Sequence, residues 1–244
     1  MIPLYVTKGG KILEAITSWF DGVKADFILN FIQENRWKFI VEGFGITVEV
    51  SIMAVIIGIV LGMLVALMVM SKSKILGTIG RWYIDIIRGT PSVTQLLIIY
   101  FVIFGSVRWP AAVIAAIAFG INSGAYVAEI VRAGIQSIDH GQAEAGRSLG
   151  LSHGQTMLKI IIPQALKNIF PALCNEFIIL IKETAIVGYV GVMDLAKAGD
   201  FIRSRTFSAF MPLIGTAVIY FIFIKILTKL FGLLEKRLRR SDVR

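Results

Sequence analysis

The sequence predicts an all-α integral membrane protein of five transmembrane helices with one polar helical loop on the cytoplasmic side. Three observations predict it. Of 244 residues, 56% are hydrophobic and 17% charged, with a mean hydropathy of +0.78, a balance outside the range of soluble globular domains. Apolar runs long enough to cross about 30 Å of hydrocarbon recur along the chain. The lysines and arginines fall between and after those runs instead of forming one patch. The net charge of +9 therefore reads as membrane orientation and not as nucleic-acid binding.

In chain order, residues 1–40 come first. Ile12, Ile16, Phe20, Val23, Phe27 and Phe31 recur near the helical period, which predicts an amphipathic helical extension at the interface or outer face. Charge interrupts it too often for the apolar core of a signal peptide. Residues 41–235 read as one five-span domain. The first span, 50–70, has Ser51 as its one polar interruption; the second, 92–107, is short and starts after Pro91. Residues 109–128 form the third. The fourth, 169–192, is interrupted by Asn175, Glu176, Lys182, Glu183 and Thr184, and the fifth, 207–227, runs into a basic helical exit and a basic tail at 236–244. Lys72, Lys74, Arg81 and Arg88 follow the first span, Arg132, Arg147, Lys159 and Lys167 separate the third from the fourth, and a basic cluster ends the chain. The positive-inside rule places these three groups in the cytoplasm, so the N-terminus is expected outside and the C-terminus inside.

The loop of about 138–163 carries the stretch EAGRSLGLSHGQTMLKIIIP. Asp139 can cap a short helix through Glu144 and Arg147, and Gly150 stands where a left-handed residue ends it. Ser152 and Gln155 form a capping box that restarts a helix, with Pro163 at the first position of the next. The product is a helical elbow too polar for lipid, facing water or another protein. Within it, Gly146 to Gly150 matches the G-x-S-x-G nucleophile pattern, with Asp139 and His153 nearby. That pattern needs a strand delivering the serine to a sharp turn. Ser148 instead lies near a helix end.

Polar side chains inside spans are expensive and tend to face a cavity or the bundle interior. Asn122, Tyr126 and Glu129 of the third span, and Asn175, Glu176, Lys182, Glu183 and Thr184 of the fourth, are candidates on that ground. A carboxylate such as Glu183 suits an ammonium group, and Asn122 suits main-chain polar groups. Mutual satisfaction, Lys182 with Glu183 or Glu129 with Arg132, is the competing reading. Arg88-Gly89-Thr90-Pro91 marks the cytoplasmic start of the second span, where Pro91 removes a donor and forces a kink or a helix start. Gln95, one turn on, faces the pathway or a neighbouring helix. Gly58 with Gly62 and Gly120 with Gly124 are G-x-x-x-G spacings suited to close helix packing. One cysteine, Cys174, and two histidines leave no disulfide and no usual Cys/His metal site.

Glu144-Ala145-Gly146, then Gly150, then Ile160 and Ile162-Pro163 resemble the glutamate-alanine-alanine loop of permease subunits in ATP-binding-cassette importers. Gly146 stands where alanine is usual and Ile162 where leucine is. The segments IIRGTPSVTQLLIIY, INSGAYVAEIVRAGIQSI, GQAEAGRSLGLS, IIPQALKNIFPAL and NEFIILIKETAIVGYVGVMDL resemble the polar amino acid branch of that family. The likeness runs from about Gly43 to the C-terminus and leaves the N-terminal extension outside.

The resemblance implies a type I importer permease in a bacterial inner or plasma membrane. Its loop, through Glu144, Ala145, Gly146, Arg147 and Gly150, docks into a separate ATPase. It also implies two ATP-binding subunits, a second permease subunit of the same or a related chain, and an extracytoplasmic amino-acid-binding protein. Asn122, Glu183, Lys182, Tyr126, Gln95 and Thr184 then become candidates for the substrate pathway. No G-x-x-x-x-G-K-[ST] phosphate loop is present, since GGKIL lacks the upstream glycine and the strand. ATP and Mg are therefore expected on the partner subunits, with no cofactor on this chain and no enzymatic chemistry of its own. The alternatives are an ATP-independent carrier or channel, an inert scaffold, and a membrane hydrolase using Ser148. Ser148→Ala separates the last of these: uptake is expected to stay near the wild-type rate, and only under the hydrolase reading would the substitution abolish the protein's activity, a hydrolysis lost with the serine.

Overall fold

The computed structural model describes the backbone of residues 6–239 and the side chains of residues 14–238, and within these limits every regular element is helical. Residues 1–5 of the N-terminal extension and 240–244 of the basic tail lie outside the described residues. The elements are α1 (Val6–Phe27), α2 (Trp37–Met70), α3 (Lys74–Arg88), α4 (Ser92–Leu97), α5 (Ala111–Gln136), α6 (His140–Ser148), α7 (His153–Thr156), α8 (Ile162–Glu183), α9 (Leu195–Thr206) and α10 (Phe210–Arg239). Wide π-type turns extend α4 through Ile98–Ile103 and join α7 to α8 through Met157–Ile161.

Three helices are singly long and apolar enough to cross a membrane: α2, α5 and α10. A fourth candidate is the pair α3 and α4, bent by 106° at their junction. α8, which carries Lys167, Glu176, Lys182 and Glu183, is not among them. The span expected at 50–70 is the later part of α2, which begins at Trp37. Residues 74–88, read from the sequence as a charged loop, form α3. Ile75, Ile79, Trp82 and Ile86 recur near the helical period and are exposed, while Gly77, Gly80 and Ile84 are the residues it buries, so an amphipathic helix stands where the charges suggest a loop.

α5 is the centre of the bundle: 67% of its most apolar stretch is buried, against 28% for α2 and 11% for α10. Its most extensive partner is α2. A Cβ on Gly58 would lie 3.0 Å from Ser123 and 3.4 Å from the Gly120 carbonyl, and one on Gly62 2.8 Å from the Gly124 carbonyl. The pairing advances in the same direction on both helices, so they run parallel with their G-x-x-x-G motifs face to face. α8 runs the other way along α5, with Ser123 opposite Glu176 and Gly134 opposite Ile169. Val50 and Ala54 of α2, Leu96 of α4, Phe119 of α5, Leu180 of α8 and Val187 of the following 3₁₀ turn close one core around this crossing.

The bundle thus has an elbow end, where α2 and α5 finish and α8 begins, and a far end, where α2, α5 and α10 begin. Asp194 organises the far end. Its carboxylate accepts from the amides of Ala196 (3.2 Å) and Lys197 (2.9 Å) as the N-cap of α9, and from the Tyr220 hydroxyl of α10 (3.3 Å). The Leu195 amide donates to Thr47 Oγ1 of α2 at 3.1 Å. Gly43 admits this contact, since a Cβ there would meet the Asp194 carbonyl at 2.7 Å.

Gly62→Ala places a methyl 2.5 Å from Val127 Cβ, and Gly120→Ala one 2.6 Å from Ile57 Cβ. Overpacking of this kind costs about 1–3 kcal/mol, so each variant is expected to lower the unfolding midpoint in detergent. Gly45, with nothing within 4 Å of its Cβ position, is the control: Gly45→Ala is expected to be neutral or mildly stabilising.

Candidate functional site: a water-facing elbow and a polar track

The elbow is built by local capping. Asp139 Oδ1 accepts from the Gly141 amide at 2.6 Å and starts α6. At its other end Gly150 has φ +82°. The Leu151 amide donates to the Gly146 carbonyl (3.1 Å) and the Gly150 amide to that of Arg147 (3.0 Å), which is the paired bonding of a Schellman motif. Ser152 and Gln155 then cap reciprocally, amide to Oγ at 3.3 Å and amide to Oε1 at 2.9 Å. Every turn expected from the sequence is present. Pro163 sits in the first turn of α8, and the restarted helix runs through the π turn into α8 without a break.

Gly146 is the one buried residue of α6. A Cβ there would lie 2.8 Å from Thr156 Cγ2 and 2.9 Å from Ile160 Cδ1, so glycine lets the two limbs of the elbow close on each other. Their opposite faces are open: Glu144, Ala145, Arg147, Ser148 and Gly150 are exposed, and Leu149 is 80% exposed. Glu144 and Arg147 lie nearly one helical turn apart, yet no ion pair joins them among the described residues. Ser148 is exposed at the helix end with no strand before it, so it lacks the setting of a nucleophile elbow.

The Arg88 to Gln95 segment is a bend that satisfies its own backbone. Ending α3 orphans its last carbonyls, and three of them find donors at the bend. The Gly89 amide reaches the Asp85 carbonyl (2.9 Å), Thr90 Oγ1 the Ile86 carbonyl (2.8 Å) and Gln95 Nε2 the Ile87 carbonyl (2.7 Å). Gln95 Nε2 also donates to Thr90 Oγ1 at 2.6 Å, and Pro91 directs the chain into α4. Asn122 Nδ2 of α5 donates to Gln95 Oε1 at 2.8 Å and fastens the bend to the central helix. Gln95 thus faces a neighbouring helix, and these two amides are engaged with each other.

A second polar track runs between α5 and α8. Ser123 Oγ donates to the buried Glu176 carboxylate at 3.0 Å. Glu183 lies two turns further along the same face of α8, half-buried and with no hydrogen bond or ion pair among the described residues. Lys182 is exposed, and no ion pair joins it to Glu183 among the described residues. Thr184 is buried and donates to the Ile181 carbonyl (2.8 Å), with Ser51 Oγ of α2 at 3.5 Å. Towards the elbow end, the Arg88 guanidinium lies 5.3 Å over the Tyr126 ring. Arg132 is paired with Glu129 and donates to Gln136 Oε1 at 2.8 Å. Arg88, Glu129 and Arg132, with Arg81 and Asp85, line a cleft of about 430 Å³.

The structure therefore separates the sequence candidates. Gln95, Asn122 and Thr184 hold helices together, Tyr126 carries Arg88, and Glu183 keeps an unengaged carboxylate among the described residues. The Ser123 partner of Glu176 is invisible in the sequence, because the two sit on different helices and nothing local in either segment signals the contact.

The elbow, the α3–α4 bend and the Ser123–Glu176 contact lie on one bundle of apolar helices. Residues 58–240 match the family described as the inner membrane component of binding-protein-dependent transport systems, and the chain belongs to that family. It is 43% identical over 203 residues to a putative glutamine transport system permease protein, GlnP, of Rickettsia bellii, covering 82% of this chain and 93% of that one. It is 39% identical over 209 residues to the arginine transport system permease protein ArtQ of Bacillus subtilis, covering 84% and 94%. Among solved structures, one of an amino acid ABC transporter with histidines superposes with a TM-score of 0.79 at 45% identity, over 85% of this chain and 98% of that one. The MetNI methionine ABC transporter in an inward-facing conformation shares the fold, with a TM-score of 0.72 at 20% identity over 82% and 96%.

Gln95→Ala leaves the Ile87 carbonyl without its side-chain donor in a low-dielectric setting, which costs about 1–3 kcal/mol. A corresponding fall in the unfolding midpoint of the purified protein is expected. Lys182→Ala, at an exposed position, is expected to stay within about 0.5 kcal/mol of wild type.

Proposed function

We propose that this chain is the permease subunit of an importer of polar amino acids in a bacterial inner or plasma membrane, and that the elbow at 144–150 is the handle by which a separate ATPase moves it. The single observation that carries this is the elbow: two capped helical limbs locked by Gly146 and Gly150, presenting Glu144, Arg147 and Leu149 to water without partners among the described residues. A rigid polar lever transmits motion only when a soluble partner holds it. Charge bias in the sequence supports placing the elbow end in the cytoplasm, with the N-terminus outside.

ATP and Mg belong to two such ATPase subunits in this reading, and a second permease subunit completes the pathway, since so few spans from one chain enclose little. An extracytoplasmic binding protein delivers the substrate. The Ser123, Glu176 and Glu183 track is the substrate side of the mechanism. Its carboxylates suit an ammonium group, which glutamine and arginine, the amino acids named for the two relatives above, both carry. Asn122 acts there by holding the α4 bend against α5. Residues 41–235 constitute the permease domain, with 1–40 as an added segment and 236–244 as a basic tail.

The decisive experiment is reconstitution with the ATPase and the binding protein. Glu144→Ala is expected to leave nucleotide hydrolysis in place while uptake per ATP falls. Full uptake after deletion of 144–150, or uptake without ATP, overturns the proposal. Glu176→Gln is expected to raise the half-saturating substrate concentration about tenfold, the size of one lost charge-assisted contact.

A further inference from the structure

The far end of the bundle is ringed by exposed aromatic side chains. Trp37 at the start of α2 is 45% exposed, Trp109 before α5 53%, Phe207 95%, and Phe210 at the start of α10 68%. Such belts mark the level where spans meet lipid headgroups. α1 joins the bundle at that level. Asn30 is fully buried; its amide donates to Ser208 Oγ (3.0 Å) and the Asp26 carbonyl (2.7 Å), and its Oδ1 accepts from Thr206 Oγ1 (2.7 Å). Arg36 donates to the Leu29 carbonyl at 2.5 Å. Glu34 and Asn35, with φ of 53° and 55°, turn the chain sharply from this rivet into α2. The end of α1 is thereby tied to the corner between α9 and α10.

Beyond the rivet, α1 has no packed face of its own among the described residues. Of residues 14–27, all are exposed except the half-buried Val23. The residues divide cleanly around the helix. Ile16, Phe20, Val23 and Phe27 stack at helical spacing with Trp19 beside them, and Glu14, Ser18, Asp21 and Ala25 occupy the opposite side. Trp19 and Phe20 are 64% and 60% exposed. Glu14, Asp21, Lys24 and Asp26 bar this helix from crossing hydrocarbon, and an apolar arc of this size is not left in water.

We propose that α1 is an interfacial anchor. It lies in the headgroup region of the leaflet at the far end with Ile16, Trp19, Phe20, Val23 and Phe27 turned into the acyl chains, and it holds the α9–α10 corner at fixed depth. Lipid is the occupant because the arc continues the aromatic ring of the spans and starts from a rivet at its level. Residues 6–27 precede both α2 and the matched family segment 58–240. Naming the leaflet as the outer one rests on the proposed sidedness of the permease; the interfacial seat does not.

The test uses the full transporter complex in nanodiscs of phosphatidylcholine and phosphatidylglycerol, with Cys174 replaced by Ala and single spin labels at 14, 16, 18, 20, 21, 23 and 27. Labels at 16, 20, 23 and 27 are expected to show high oxygen and several-fold lower nickel-complex accessibility than those at 14, 18 and 21. High nickel accessibility at every position overturns the proposal by placing the helix in water. Low accessibility to both quenchers at the apolar positions overturns it by placing them against protein, a second copy or the binding protein. An unlabelled readout guards against misfolded variants: Trp19→Phe is expected to remove part of the tryptophan quenching by lipids brominated near the headgroup, and unchanged quenching counts against the anchor. A membrane-impermeant thiol reagent on whole cells reports the leaflet. Labelling from the cytoplasmic side alone overturns the outer placement without touching the interfacial one.

Discussion

The bundle depends on how closely α2 and α5 approach each other. Gly58 and Gly62 on one helix and Gly120 and Gly124 on the other remove the side chains that would hold two backbones apart, and the parallel crossing follows. In a membrane the hydrophobic effect does little to drive helices together, so close van der Waals contact of this kind carries much of the association. The crossing also sets what sits beside it. Asn122 and Ser123 fall within the glycine-lined stretch of α5, so one meets the α4 bend and the other meets Glu176.

A second constraint is that hydrocarbon offers no hydrogen bonds to a broken helix. The chain breaks between α3 and α4, and Thr90, Gln95 and the Gly89 amide take up the carbonyls released there. The residues that look most like ligands in the sequence are partly this repair. Among the described residues no buried side-chain polar atom is left without a partner. Burial of a polar group in a span therefore separates poorly into function and structure until its partner is known. Glu183 stands out because its half-buried carboxylate has no partner among the described residues.

Legibility follows locality. The elbow is readable in detail because Asp139, Gly150, Ser152 and Gln155 act on near neighbours in the chain, where sequence spacing is geometry. α3 hides behind its charges: Ile75, Ile79, Trp82, Tyr83 and Ile86 keep the helical period, but Lys74, Arg81, Asp85 and Arg88 imitate a loop, and the positions that pack are Gly77, Gly80 and Ile84. The length of α2 is underestimated for a related reason: Lys38, Glu42 and Glu49 interrupt its first turns in sequence, while Gly43, Thr47 and Val50 are the positions that pack.

By itself the sequence determined that the chain is a helical membrane protein, where its most apolar segments lie, and that a polar elbow with defined caps interrupts them. These depend on composition and on contacts within a turn or two. The tertiary structure alone decided that α2 and α5 run parallel through their glycines, that Gln95 and Asn122 lock a bend, that Ser123 of α5 meets Glu176 of α8, and that Asn30 fastens α1 to a corner formed near the other end of the chain. Such contacts arise only when the packing of several helices brings distant segments together, and no local period in the chain encodes them.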